Sequence, residues 1–500
     1  MASQTLSKSD YLLYLKHPAW LWLKKNDPKK LPPIDANLQA LFDAGHEFEA
    51  YAEALFPGGT TLGWDPKNYG SYQSLPGRTL AAIQKSTPVI FQGRLEANGI
   101  TAIFDVLVRV DDHTFDLYEI KSSTKAKDEH IDDLAFQTHL LELSGYTVRN
   151  VGVVHVNSKY VRSGAINTLE LCSQTDVTES VKARLPLTVE KIAEAIAVSS
   201  QPNCPDLSPR FASSGFFKEW LEIYNSLNPD LPKDSIYQLN RLNPNLVGLI
   251  EDSGAKVIAD IPDDLPLKKE QQRQIAVVKS GQRSIDKPRV QEFLSQLQYP
   301  LYFLDYETLM KTVPPYDGTR PYQQIPFQYS LHIIETPGAE PIHKEYLHRD
   351  ATNPCDALIA RMREDVGDTG SVIVWYEDFE KGRNGEMAEQ HPDHSEWLLN
   401  LNGRVVDLMI PFFAGWINDS AFCGSASIKK VLPVLVPDLS YSVLAIHEGG
   451  TAQRLWMEAV LDQKHPDKRE QIMADLIEYC KLDTLAMVRI YEDIIRSIRT

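Results

Sequence analysis

Hydrophobic and polar positions along the chain fall into stretches of two periods. From Ser7 to Lys25 apolar residues recur at helical spacing, with Leu12, Leu13, Leu15 and the run Trp20 to Leu23 on one face, and Asn37 to Leu55 repeats the pattern. Three segments then alternate or run apolar between turn residues, PVIFQGRLEA, ITAIFDVLVRV and TFDLYEIKSS, which predicts a small strand meander. Ile131 to Ser144 returns to a helical period. Between residues 200 and 290 the pattern predicts short helices joined at Asn243-Pro244 and Ser253-Gly254. From Tyr299 onward the order is strand (LYFLDYE), strand (FQYSLHIIE), strand (EYLHR), helix (CDALIARMRE), strand (SVIVWY), helix and a long helical C-terminus. Such an order predicts an α/β fold with a mixed sheet.

Five hundred residues exceed one ordinary core, so more than one domain is expected. No internal repeat or low-complexity tract marks the boundaries. They are read instead from the segment around Pro186 to Pro209, where SSQPNCPDLSP is expected to break any continuous element, and from the run Ile285 to Pro300. The division is an α/β domain over 1–200, a helical connector over 201–295 that is loosely similar to helix-hairpin-helix contacts with a DNA backbone, and an α/β domain over 296–500.

Composition narrows the function classes. The chain is 43% hydrophobic and 24% charged, as a globular protein is, and no apolar run nears the roughly 20 residues needed to span a bilayer. The opening MASQTLSKSDYLLYLKHPAW lacks a basic start, an apolar block and a cleavage site, so a cytoplasmic protein without a membrane partner is expected. Cys172, Cys204, Cys355, Cys423 and Cys480 form no CxxC spacing and are read as free thiols, with no iron–sulfur cluster. A net charge of −17 argues against a protein that coats nucleic acid non-specifically. It leaves room for an enzyme with a local basic groove and a metal-loaded acidic centre. The thirteen His residues show no HExxH or clustered spacing and are read as surface or core-edge residues.

Two groups of carboxylates stand out, because acids within apolar strands are costly unless they find partners or a cation. In the first, Glu119 and Lys121 are two apart and share one strand face, and a turn through Asp111 to Thr114 brings Asp105 of the preceding strand beside them. Asp105 and Glu119 are the expected ligands of a hard divalent ion, with Lys121 orienting water or neutralising developing phosphorane charge. These residues resemble the PD-(D/E)XK nuclease pattern, here FD followed by EIK. The helix DLAFQTHLLELSGY resembles the Gln-bearing helix of the RecB-like subgroup, with Gln137 at the matching position and Leu141 where Tyr is usual. GHEFEAYA resembles that subgroup's first motif, with Glu49 where its His stands and His46 nearby. SKSDYLLYLKHPAWLWL also resembles it, with His17 where iron–sulfur members carry Cys.

In the second group, LYFLDYETL places Asp305 and Glu307 on one strand face, and DLIEYCKLDTLAMVRIY places Tyr479 and Asp483 four apart on one helix face. Asp483 is expected to complete a cation cage and the Tyr479 hydroxyl to orient water. This order resembles the DnaQ-like exonucleases of the RNase H-like fold, in their tyrosine variant. IVWYEDFEKGR stands for the middle motif, with Glu380 in place of its Asp, Tyr376 in place of its Asn, and Asp378 as a fallback ligand. VVDLMIPF with Asp407 and GSASIKKVLP with Lys429 and Lys430 also look like parts of that domain. Lys429, Lys430 and Arg383 are candidates for backbone contacts to substrate, against the simpler reading of a solvated face. Tyr316, Tyr322 and Phe327 in KTVPPYDGTRPYQQIPFQYS are candidates for stacking on bases, or else core.

The resemblances imply a restriction-endonuclease-like α/β domain joined to an RNase H-like one. They imply magnesium or manganese as cofactor, cleavage of nucleic acid with DNA favoured over RNA, 3′-to-5′ polarity for the second centre, and a bacterial role in repair or in defence against foreign DNA. The alternatives are that one or both centres no longer cut and the protein binds or regulates, or that RNA is the substrate.

Overall fold

Pro18 divides the first predicted helix in two. It has no N–H to donate and holds His17 extended at φ −164°, so one helix ends at Lys16 and the next, Pro18–Asn26, begins with His17 as its N-cap. The computed structural model describes residues 5–33 and 35–499. They fold as two compact units, one of Met1–Asp230, Asn243–Asn245 and Lys311–Tyr322, the other of Leu231–Leu242, Leu246–Met310 and Gln323–Thr500. Each is an α/β structure built on a mixed sheet. Among the described residues no helix is long and apolar enough to cross a membrane.

In the first unit the strands are β1 (Leu6–Ser7), β2 (Gly59–Thr61), β3 (Val89–Ala97), β4 (Ile100–Arg109), β5 (Thr114–Lys121), β6 (Thr147–Val156) and β7 (Cys172–Asp176). The order β2-β3-β4-β5-β6-β7 has β3, β4 and β5 as the predicted antiparallel meander; β5 and β6 run parallel, joined by the helix Asp128–Leu143. β1 pairs in parallel with Ile100 and Thr101 of β4, on a stretch that β5, paired with β4 from Val106 to Arg109, leaves free. The helix Lys8–Lys16 starts directly from that pairing, capped by Ser7, which accepts from Asp10 N–H while Asp10 accepts from Ser7 N–H. Leu95, Phe104, Leu107, Leu117, Phe136 and Leu140 bury the sheet against the helices.

The helix Thr178–Ser200 runs through Pro186 and ends as SSQPNCPDLSP begins, so the break falls in that stretch and not at Pro186. One lost backbone bond is tolerated in a 23-residue helix whose Val181, Thr188, Ile192 and Ala195 are buried. Phe327 follows the core reading and not that of stacking on bases. It is fully buried on the strand after the Pro-rich loop, in the second unit, with its ring 4.6 Å from that of Trp456. The loop itself, Lys311–Tyr322, belongs to the first unit. There Arg162 donates to the carbonyls of Pro314 and Pro315, Gly164 N–H donates to Asp317, and the Tyr322 hydroxyl donates to the Ser122 carbonyl.

The second unit contains β8 (Ser284–Ile285), β9 (Leu301–Leu309), β10 (Ile325–Ile334), β11 (Ile342–Leu347), β12 (Ser371–Val374), β13 (Val405–Asp407) and β14 (Ile417–Asn418). Its main sheet has the order β11-β10-β9-β12-β13, antiparallel from β11 to β9 and parallel from β9 to β13. β9 is the middle strand, with Phe303, Leu304 and Leu309 fully buried. The helix Arg469–Arg499 packs on β9 and β10, burying Leu476, Tyr479, Cys480, Met487 and Val488 among others. The helix Pro244–Asp252 begins at the predicted Asn243-Pro244 junction and stops before Gly254, whose φ of +83° suits a residue without Cβ. Ile236, Leu239, Ile250, Ile258 and Ile275 enclose a small apolar cluster there. Asn240 donates to the Gly424 carbonyl at 2.6 Å and Arg273 to that of Ala414, so these helices are built into the second unit.

Candidate metal centres

In the first unit the β4–β5 hairpin does what its turn predicts. Its ladder runs from Arg109↔Phe115 to Val106↔Tyr118. At the next position Asp105 takes over with its side chain, Oδ2 accepting the Ile120 N–H at 2.9 Å. Glu119 is buried, and Lys121 on the same face donates to Glu119 Oε1 at 2.6 Å. Gln137 reaches the same carboxylate from the helix Asp128–Leu143, its Nε2 donating to Glu119 Oε2 at 2.6 Å and to Asp133 Oδ1 at 2.7 Å. Gln137 Oε1 is buried without a partner among the described residues.

Two residues of this cluster carried no signal in isolation. Lys8, the first residue of its helix, donates to Glu119 Oε1 at 2.8 Å and lies 3.3 Å from Asp133. Asp133 is one helical turn before Gln137 and accepts from Lys121 at 3.2 Å. Its spacing from Gln137 was the available clue; Lys8 is placed only by the pairing of β1. Burial and then the charge of Glu119 push Asp105 up to about 8. Burial would raise Glu119 too, but the Lys121 and Lys8 ammoniums outweigh it and hold Glu119 below the usual carboxylate range. Burial opposes the charge on Lys121, yet Glu119 and Asp133 keep it firmly protonated. Glu49 is half-buried in the helix Ala36–Glu53, raised by burial, and feels His46, Glu119 and Lys121; His46 itself is exposed.

His17 has a structural place. Its Nδ1 accepts the Ala19 N–H, which leaves Nε2 to donate to the Ser208 carbonyl, and its ring stacks on Trp220 at 3.9 Å. Burial lowers it to about 4.

In the second unit, the middle strand β9 carries Asp305 and Glu307, and the long C-terminal helix brings Cys480 against them. One ligand atom from each of the three lies within 4.8 Å of the others. The Cys480 thiol donates weakly to Asp305 Oδ2 at 3.8 Å. Asp483, one turn after Tyr479, accepts from the Tyr441 hydroxyl at 2.5 Å. Lys429 lies 5.6 Å and 5.7 Å from the ring centres of Tyr441 and Tyr479, and donates to the Tyr479 hydroxyl at 3.4 Å and the His447 carbonyl at 2.6 Å. A Cβ on Gly449, which opens the helix Gly449–Trp456, would stand 3.7 Å from Glu307 Oε2.

Glu380 is the acid of its segment that turns inward. It is 1% exposed and its Oε2 has no partner among the described residues, whereas Asp378 on the same helix is exposed. The start of that helix is held by Asp407, which accepts N–H groups of Tyr376, Glu377 and Met409 at 3.0, 3.2 and 2.8 Å. Tyr376 sits at φ +87° with its side chain half exposed. Arg383 is occupied by Glu386 at 3.1 Å and lies over the Phe379 ring, and Lys430 is exposed.

The electrostatics of the second group differ from those of the first. Burial pushes Asp305, Glu307 and Glu380 well above the usual carboxylate range, with neighbouring carboxylates adding to it: Asp483 for Asp305, and Asp305 for the other two. Asp483 is pushed to about 6 by burial, restrained by the Tyr441 hydroxyl and Lys429. No Lys or Arg nitrogen stands in ion-pair range of these four carboxylates among the described residues. Burial first, then Asp483, keeps Tyr441 and Tyr479 protonated. Four acids, Glu307 and Glu380 buried and Asp305 and Asp483 half-buried, with one unpaired oxygen and only the more distant charges of Lys429 and Arg383 to offset them, suit a divalent ion.

Residues 302–427 match a family described as a domain of unknown function, DUF2779. The matched stretch holds Asp305, Glu307, Glu380 and Asp407 and ends before Tyr441, Tyr479 and Asp483. The chain is 26% identical over 207 residues to the uncharacterized protein MG366 homolog of Mycoplasma pneumoniae, covering 38% of this chain and 31% of that one. It is 25% identical over 214 residues to the uncharacterized protein MG366 of Mycoplasma genitalium, covering 39% and 32%. The chain thus spans about a third of the length of these curated relatives. No solved structure matches it.

Proposed function

We propose that the chain is a metal-dependent nuclease with two carboxylate centres, a PD-(D/E)XK-like one in the first unit and a DnaQ-like, RNase H-like one in the second, acting on DNA. The observation that carries this reading is the second centre's charge: Glu307 and Glu380, buried, and Asp305 and Asp483, half-buried, are electrostatically linked with no ammonium or guanidinium in ion-pair range among the described residues, Lys429 acting on three of them only from further away. Four such groups repel one another unless protonated or bridged by a cation. Asp305, Glu307, Glu380 and Asp483 are the residues that would hold magnesium or manganese. When bound, the ion supplies Lewis-acid polarisation of a phosphoryl oxygen and a more acidic water.

The remaining roles belong to the chain. Tyr479 stays protonated and offers its hydroxyl to orient a water, while Tyr441 fixes Asp483 Oδ1 by its own hydroxyl. Lys429, held by the His447 carbonyl, puts a positive charge beside the Tyr479 hydroxyl, where it attracts a phosphate oxygen. In the first centre Lys121 remains charged and is aimed by Glu119 and Asp133, as a group that stabilises developing negative charge must be.

One observation favours a second reading for the first unit alone. Both lysines converge on Glu119 Oε1, at 2.8 and 2.6 Å, so a cation there must compete with two ammoniums. On that reading the first unit binds nucleic acid and the second cuts it. The test is magnesium- or manganese-dependent digestion of end-labelled single- and double-stranded DNA and RNA by wild type, Lys121→Ala and Asp305→Ala. Two active centres require each substitution to remove a separate activity. A nuclease insensitive to both, singly and together, overturns the proposal.

A further inference from the structure

The proposed second centre contains one group that a purely oxygen-ligated ion does not call for. Cys480 follows Tyr479 on the long helix and is fully buried, with its Sγ in the same 4.8 Å cluster as oxygens of Asp305 and Glu307. The other four cysteines are free as well, but none belongs to such a cluster among the described residues. A small buried Cys packs as an apolar residue in most proteins. Here its neighbours argue otherwise: the thiol faces the Asp305 carboxylate at 3.8 Å, and it shares its surroundings with Glu307 and Asp483. Three carboxylates, Asp305, Glu307 and Asp483, thus act on a polarizable sulfur where an Ala or Val would fill the space without one. A second, separate observation also points to a ligand. Glu380 Oε2, buried and unpartnered, belongs to the same electrostatic cluster through Asp305.

We infer that Cys480 is a sulfur ligand in the second centre, so that Asp305, Glu307 and Cys480 bind a thiophilic divalent cation such as zinc or cadmium more tightly than magnesium. This rests on reading the cluster as a metal centre. Magnesium takes oxygen ligands almost exclusively, whereas thiolate favours softer ions, and two carboxylates with one thiolate form a mixed site. Binding exchanges the S–H bond for a sulfur–metal bond, and the proton leaves to solvent; no electrons are transferred. A softer ion held this way is expected to occupy the centre in competition with magnesium.

The experiment is a cadmium titration of the metal-free full chain, followed by the ultraviolet charge-transfer absorption of a cadmium–thiolate bond. The inference expects a saturable band equivalent to one sulfur per chain, absent in Cys480→Ser, and a cadmium affinity at least tenfold weaker in Asp305→Asn, which alters no thiol. A wild type without the band overturns it, as does a band of equal size in Cys480→Ser. Should Cys480→Ser fail to fold by circular dichroism, Asp305→Asn decides, and an unchanged binding curve in that variant overturns the inference. Magnesium-dependent nuclease activity of wild type is read separately. An active nuclease without the band loses the sulfur ligand and keeps the proposed function, and an inactive chain with the band does the reverse.

Discussion

Lys8 and Glu119 are 111 positions apart and meet at 2.8 Å, Nζ to Oε1, with Glu119 1% exposed. Lys121 reaches the same oxygen, and Asp133 lies 3.3 Å from Lys8, so two ammoniums and two carboxylates close a buried network. Removing one member leaves the others uncompensated, which costs about 3 kcal/mol when both partners are fully buried and less where, as for Lys8, part of the side chain meets water. Lys8→Met is therefore expected to lower the stability of the first unit by about 2 kcal/mol, seen as a lower urea midpoint. A midpoint within error of wild type shows that the network is not what holds the helix Lys8–Lys16 to the sheet.

The second centre leads to a prediction about metal. A cation that binds the folded chain and not the unfolded one raises stability by about 2.7 kcal/mol at a hundred times its dissociation constant. Manganese or magnesium is expected to raise the unfolding temperature of the wild type, and Asp305→Asn is expected to abolish most of the rise. Equal rises in both proteins place the bound ion away from Asp305.

Buried His17 gives the chain an acid sensitivity. Its ordinary value of 6.5 falls to about 4 in the folded state, because burial disfavours the charged ring. Below 6.5 the unfolded chain takes up a proton that the folded chain refuses, so stability declines as pH falls from about 6.5 to about 4 and this contribution is complete above that window. The full loss is about 3 kcal/mol at most. Asn at this position keeps a side-chain acceptor for the Ala19 N–H while removing the titration. His17→Asn is expected to be less stable at neutral pH, having lost the Trp220 stack, and to show a shallower fall of stability between pH 6.5 and 4. An unchanged slope in urea melts across that range assigns the acid sensitivity to other groups.

What the sequence made legible follows from how local each signal was. The strand period placed Glu119 and Lys121 on one face, and the short turn from Asp111 to Thr114 brought Asp105 within reach of Ile120 N–H, because both constraints act within about fifteen residues. Asp305 and Glu307 were legible for the same reason. Lys8 was not, since its meeting with Glu119 depends on a two-residue parallel strand pairing with β4, too short to leave a pattern. Tyr441 and Cys480 were missed in another way: a Tyr in a 3-10 turn and a Cys inside a helix each read as packing until the partner carboxylates are in place. The break at SSQPNCPDLSP was legible from its prolines, but Pro186 alone was no guide, because the packing that keeps Thr178–Ser200 continuous is not local. Phe327 left stacking and core both open, because an aromatic just after a Pro-rich loop reads either way until its strand packs against Trp456.

Glu380 and Asp378 offer the sharpest contrast for testing the middle motif, because helix phase alone separates them. Asp378 is exposed in the first turn of the helix, where its charge meets the helix dipole and its removal costs less than about 1 kcal/mol. Glu380 is buried beside Asp305 with an oxygen left unpartnered, an arrangement that disfavours the folded state in the absence of a cation. Glu380→Gln removes the charge at nearly constant volume. In chelator-treated protein it is expected to raise stability by about 1 kcal/mol or more, while lowering magnesium-dependent cleavage by about a hundredfold, the size expected when one electrostatic group of a preorganised site is lost. Asp378→Asn is expected to leave cleavage unchanged and to lower stability by less than about 1 kcal/mol. Urea melts with chelator and initial cleavage rates with magnesium, run on the same two variants, check both halves. If Glu380→Gln is destabilising without metal and cuts at the wild-type rate, its carboxylate serves the fold and the middle ligand must be sought elsewhere.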